Sequence, residues 1–153
     1  MRIMSLLYVM VGLMMSGLAT YAQSPVEKVI LKYDNVKGSK DFIAQGGEKL
    51  SIAKSLMKKT PVASLVSDVN TVYVLKMENA SQQNRTAFLT DLRTALKTYE
   101  YHGRHPSSNG EVEVYVNRSD KGQITELVIY NPGSCTLNLL KGTFPLDALL
   151  RLE

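Results

Sequence analysis

Two histidines, His102 and His105, stand three residues apart in the segment Glu100-Tyr101-His102-Gly103-Arg104-His105. Imidazole is the commonest metal ligand near neutral pH, and Glu100 could add an oxygen. A zinc site, however, needs three or four ligands held in geometry, and no second ligand cluster completes this set. A solvated loop where a helix ends, with histidine complementing the helix dipole, accounts for the same residues. The single cysteine, Cys135, could act as a nucleophile if a nearby cation held it as thiolate and a histidine served as base. The favoured reading of the same residue is a small apolar side chain buried at the start of a strand. Gly46-Gly47-Glu48-Lys49 lacks the Gly-Lys-Ser/Thr ending of a phosphate loop, and Glu48 would repel phosphate. Those glycines read as a strand-to-helix turn.

Glu111, Glu113 and Tyr115 alternate with Val112, Val114 and Val116. Paired carboxylates do acid-base work only in a cleft that makes their environments unequal. On an open sheet face they would instead form an interaction surface. Tyr115 would be its anchor, because aromatic residues commonly anchor interfaces.

The elements that must hold these residues follow from periodicity. Val26, Val29, Ile30 and Tyr33 fall at i, i+3, i+4 and i+7 and predict a helix opened by Pro25. Asp41 to Gln45 is a short strand candidate. Glu48 to Lys59 reads as a helix with Ile52, Ala53, Leu56 and Met57 inward and its lysines outward, and Val62 to Val69 as a short helical turn. Thr71 to Met77 reads as a buried strand. Gln82 to Tyr101 predicts the longest helix, with Phe88, Leu92, Ala95, Leu96 and Tyr99 on its apolar face and Arg85, Arg93 and Lys97 in solvent. Glu111–Asn117 and Ile124–Tyr130, joined by Ser119-Asp120-Lys121-Gly122, form a hairpin. Thr136–Leu140 adds a strand, and Thr143 to Leu152 a short terminal helix with Asp147 near its positive end. This order implies an α+β domain: an antiparallel or mixed sheet with helices packed on one face, ferredoxin-like in outline.

The chain opens MRIMSLLYVMVGLMMSGLATYAQSP. A positive residue, an apolar run from Ile3 to Ala19 and the small-residue ending Ala19-Thr20-Tyr21-Ala22 describe a secretory signal peptide. Cleavage after Ala22 is favoured over an uncut anchor because the run is short and diluted by Gly12 and Gly17. The expected organisation is a leader over residues 1–22 and one domain over residues 23–153, with no stable membrane anchor after cleavage. Lipid attachment needs a cysteine at the cut, and the single cysteine lies far downstream. Loss of Arg2 from the 18 basic residues leaves 17 against 14 acidic. So small and dispersed a surplus argues against nucleic acid as a partner. One cysteine cannot staple the chain, so the core alone must stabilise it.

Several features together resemble a known family. They are Ser55-Leu56-Met57 on an early helix and Tyr99-Glu100-Tyr101 at a helix end. Val112 to Val116, a glycine-bearing turn and Ile124-Thr125-Glu126-Leu127-Val128-Ile129 follow, and Leu137, Leu139, Gly142 and Leu146-Asp147 close the tail. The chain is similar to small exported proteins of Bacteroidetes grouped as domain of unknown function family 4252. The resemblance implies an exported α+β domain and carries no catalytic or binding residues. Gly103 to Ser108 is not a feature of it. The expected role is therefore a periplasmic or secreted binding module, with an envelope protein or small ligand as partner and no cofactor. The alternatives are an enzyme using Cys135 or His102 and His105, which the missing catalytic constellation disfavours, and a structural envelope component.

Overall fold

A computed structural model describes residues 23–59, 63–107 and 110–145. The leader and most of the expected terminal helix, Asp147 included, lie outside the described residues. The first helix, α1 (Pro25–Tyr33), begins at a reciprocal cap. Ser24 Oγ accepts from the Glu27 amide at 3.4 Å, and the Ser24 amide donates to Glu27 Oε1 at 3.3 Å. Two of the orphan amides at the helix start are thereby satisfied. Val26, Val29, Ile30 and Tyr33 are all buried, as their spacing predicts.

The remaining elements are β1 (Lys40–Ala44), α2 (Gly47–Met57), a 3₁₀ turn (Ala63–Asp68), β2 (Val69–Lys76), α3 (Gln82–Ala95), β3 (Glu100–Ser107), β4 (Gly110–Arg118), β5 (Ile124–Asn131) and β6 (Thr136–Phe144). They build one six-stranded sheet in the order β1-β2-β6-β5-β4-β3. Every neighbouring pair is antiparallel, so the sheet is not mixed. Alternation across the sheet makes β2 and β3 run the same way. The α3 connection between them therefore passes over β6, β5 and β4. The ferredoxin-like outline expected from the element order is not what this six-stranded order shows.

Helices cover both faces rather than one. On the first face α1 and α3 pack against Tyr73, Leu75, Val128, Tyr130, Leu137 and Leu139. Tyr33 meets Phe88 edge-on, with ring centroids 5.5 Å apart. On the second face Ala53 of α2 and Leu65 of the 3₁₀ turn join Val72, Val114, Val116, Leu127, Leu140 and Phe144. The reason is in β2, where Val72 and Tyr73, neighbours that point to opposite faces, are both buried. A strand apolar on both sides needs cover on both.

Four elements depart from expectation. The long helix ends at Ala95, followed by a 3₁₀ turn at Leu96–Thr98, and Glu100–Ser107 is an edge strand rather than helix end and loop. Gly103 and Pro106 lower its strand propensity, and an edge tolerates both because one side of the strand needs no partner. The register shifts between Tyr101 and Arg104, around Gly103. Strand β6 continues through Phe144, so Thr143 is strand and not the start of a helix. In α2 only Ala53 is fully buried, while Ile52 and Leu56 are 53% and 65% exposed. The β4–β5 hairpin forms as read, closed by the Gly122 amide donating to Ser119 O at 2.8 Å.

Candidate binding hollow and buried polar pairs

The first two turns of α3 and the turn between β5 and β6 flank an open hollow of about 280 Å³. Gln82, Arg85, Thr86 and Leu89 form one wall, and Tyr130 and Pro132 to Cys135 the other, with Glu78 at the rim. The helix wall is set by Ser81, whose Oγ accepts from the Asn84 amide at 3.1 Å. The turn wall is set by Asn131, whose Oδ1 accepts from the amides of Gly133 and Ser134 at 2.9 and 3.2 Å. Cys135 then takes a left-handed backbone at φ +51°. Its carbonyl accepts from the Met77 amide at 2.9 Å, tying the turn to the end of β2.

The thiol is half-buried. Burial pushes its pKa up, and the Tyr130 hydroxyl and the Arg85 charge offset this only in part. Tyr130 Oη lies 3.9 Å from Sγ and is itself held protonated by burial, with Cys135 adding to the effect. A thiol kept neutral beside a hydroxyl kept neutral is not an activated nucleophile. Among the described residues lining the hollow the one cation is Arg85, whose Nη1 donates to Glu78 O at 3.3 Å.

The histidines lie elsewhere. His102 and His105 are on β3, three strands from the β6 end that carries Cys135. At ~4.8 Å per strand that is roughly 14 Å, too far for a thiol–imidazole pair. His102 Nε2 is 3.0 Å from Glu100 Oε1, and His105 Nε2 contacts His102 O at 3.2 Å. Among the described residues, no three His, Cys, Asp or Glu side chains are grouped to hold a metal ion.

Glu113 and Tyr115 share a face with each other, as alternation requires, but that face lies under α3. They are 5% and 8% exposed, whereas Glu111 is exposed and sits 3.8 Å from Arg104. Arg93, read as a solvent residue, reaches down to them. Its Nη1 and Nη2 donate to the two oxygens of Glu113 at 2.7 and 2.9 Å, and Nη1 also donates to Tyr115 Oη at 2.9 Å. The Tyr115 hydroxyl donates to Glu113 Oε1 at 2.7 Å. The Arg93 hydrogen bonds hold the Glu113 carboxyl below the usual range against the opposing effect of burial. Burial, then Glu113, pushes Tyr115 up to about 12. The guanidinium also lies 5.7 Å from the Tyr130 ring centre, which connects this pair to the hollow. The one sequence signal for the pairing was Arg93 itself, adjacent to Leu92 at the border of the apolar stripe.

A second buried carboxylate, Glu27, accepts from Lys141 Nζ at 2.8 Å and Tyr73 Oη at 2.6 Å. Burial alone would raise its pKa, but these bonds and the Ser24 amide together lower it. Glu126 is 3% exposed and accepts from Tyr99 Oη at 3.1 Å and Asn117 Nδ2 at 2.9 Å through one oxygen. Its other oxygen has no hydrogen bond.

The sequence profile described as Domain of unknown function (DUF4252) matches residues 33–152. The chain belongs to the DUF4252 family. The DUF4252 span starts at the last residue of α1 and takes in the hollow, the Arg93–Glu113 pair and both histidines. No curated protein and no solved structure matches the chain.

Proposed function

We propose that the mature chain works outside the cytoplasm as a binding module, with the hollow beside Cys135 as its ligand site. One observation carries this reading. The hollow offers a cation, a carboxylate at Glu78, a neutral thiol and a tyrosine hydroxyl against the apolar side of Leu89, and none of its described lining residues is a histidine that could pair with the thiol. Such a lining recognises a small polar group and has no machinery to transform it. Small-molecule pockets run from ~300 to 1,000 Å³. About 280 Å³ therefore suits one side chain of an envelope protein or one compact molecule. Arg85 and the positive end of α3 favour a carboxylate, with Glu78 opposing it from the same lining. Export is supported by the Arg2 start, the apolar run and the Ala22 ending.

The test uses residues 23–153, isotope-labelled, titrated with a panel of small carboxylates and acidic peptides. Amide shifts should concentrate at Arg85, Thr86, Leu89, Ser134 and Cys135, and Arg85→Ala should remove them. A folded domain showing no shift at these residues with millimolar ligand would overturn the assignment. Sequencing the amino terminus of protein recovered from the cell envelope should read Gln23-Ser24-Pro25. A terminus at Met1 would overturn export by cleavage.

A further inference from the structure

Helix α2 carries a surface that the fold does not use. Ile52 and Leu56, one turn apart, are 53% and 65% exposed, although both are strongly apolar. Lys49, Ile52, Leu56 and Lys59 fall at i, i+3, i+7 and i+10, which places them along one stripe of the helix and the turn that follows it. Glu48, at i−4 from Ile52, lies on the same stripe, so the aliphatic pair stands between Glu48 and Lys49 at one end and Lys59 at the other. Residues 47–59 hold Lys49, Lys54, Lys58 and Lys59 against a single acid, Glu48. That is a surplus of three, from a chain whose whole formal charge is +4. None of the four lysines is in an ion pair with a described residue.

We infer that α2 docks the domain onto an anionic lipid surface. Ile52 and Leu56 enter the headgroup boundary, and the exposed Lys58 and Lys59 lie against lipid phosphates, while Lys49 rests 4.9 Å from the Phe42 ring centre. The residue types select this occupant. Protein interfaces are depleted in lysine, and their strongest anchors are Trp, Tyr and Arg. Lysines around exposed aliphatic side chains match an interfacial helix instead. No described helix is long and apolar enough to cross a membrane. Because α2 and α3 pack on opposite faces of the sheet, docking through α2 leaves the hollow facing away from the lipid. The inference stands whatever the hollow binds.

The experiment is vesicle co-sedimentation of residues 23–153. Vesicles of phosphatidylcholine alone are compared with phosphatidylcholine mixed with phosphatidylglycerol. The domain should pellet with the anionic vesicles, remain in solution with the neutral ones, and be released by salt. Each lysine near an anionic surface strengthens partitioning roughly fivefold. Lys58→Glu with Lys59→Glu should thus weaken binding by about 25-fold or more. Ile52→Ser with Leu56→Ser should weaken it by about tenfold or more. Both pairs change exposed side chains, and circular dichroism checks that they fold. The chain has no tryptophan, so Leu56→Trp supplies a reporter whose emission should shift to the blue on anionic vesicles. Failure of the folded domain to pellet with anionic vesicles would overturn the inference, as would equal binding to neutral ones. Full binding by the Ile52→Ser/Leu56→Ser protein would also overturn it, by reducing the contact to charge alone.

Discussion

Replacing Arg93 by Met removes the guanidinium and keeps most of the aliphatic stem against α3 and Tyr130. What is left is the Glu113 carboxylate, 5% exposed, with the Tyr115 hydroxyl still donating to it. Breaking a fully buried ion pair costs about 3–5 kcal/mol, and breaking an exposed one about 0–1 kcal/mol. The Arg93 side chain is 45% exposed and Glu113 only 7%. Water can partly replace the cation, which sets the loss at about 2–3 kcal/mol. For a domain of this size that lowers Tm by roughly 8–12 °C. Urea unfolding of the wild-type and variant domains at neutral pH gives the number directly. The pH dependence identifies the cause. In the wild type Arg93 lowers the Glu113 pKa, so this carboxylate stabilises the fold above the ordinary carboxylate range. That contribution disappears as pH falls through the lowered value. In the variant burial acts without Arg93 and raises the pKa, so protonation relieves the penalty earlier. The gap between the two proteins should shrink steadily below about pH 5. A loss under about 0.5 kcal/mol at neutral pH, or one that is unchanged in acid, would refute the pairing as a source of stability.

Acid should destabilise the wild-type domain through two of its buried carboxylates. Glu27 and Glu113 have lowered pKa values, so the urea midpoint should fall below about pH 4.5, and Glu27→Gln with Glu113→Gln should flatten that fall. Cys135 should alkylate more slowly in the native domain than in urea at mildly alkaline pH, because burial raises its pKa; an equal native rate would argue against the neutral thiol. Gly38→Ala should cost roughly 2–4 kcal/mol, since a Cβ there would stand 2.1 Å from Asn79 O at φ +87°. Gly122→Ala, at a similar φ of +82° but in open space, should cost only about 1–2 kcal/mol of backbone strain in the same melt.

What a few neighbouring residues encode was legible without coordinates. The 3.6-residue spacing of Val26, Val29, Ile30 and Tyr33 marked α1, and the alternation through Val112, Val114 and Val116 marked β4. Ser119 to Gly122 marked the turn that joins β4 to β5, and the apolar stripe of α3 was read residue by residue. These signals are local, so they survive without knowledge of the fold. Strand β3 was not legible, because Gly103 and Pro106 disfavour a strand and only a bulged place at the sheet edge accommodates them. Nor was the outward turn of Ile52 and Leu56, since an apolar pair at helical spacing reads as core whichever way the helix faces. The two-sided cover of the sheet depended on where α2 returned. The hollow and the Arg93–Glu113–Tyr115 contacts join α3 to strands some 20 residues or more away. The sequence by itself determined the α+β character, most of the elements and the apolar faces of α1 and α3, which share one core. The tertiary structure alone decided which polar side chains are buried together and which apolar ones stay outside, because side-chain partners across a sheet follow from strand order and register, and neither is a property of any one segment.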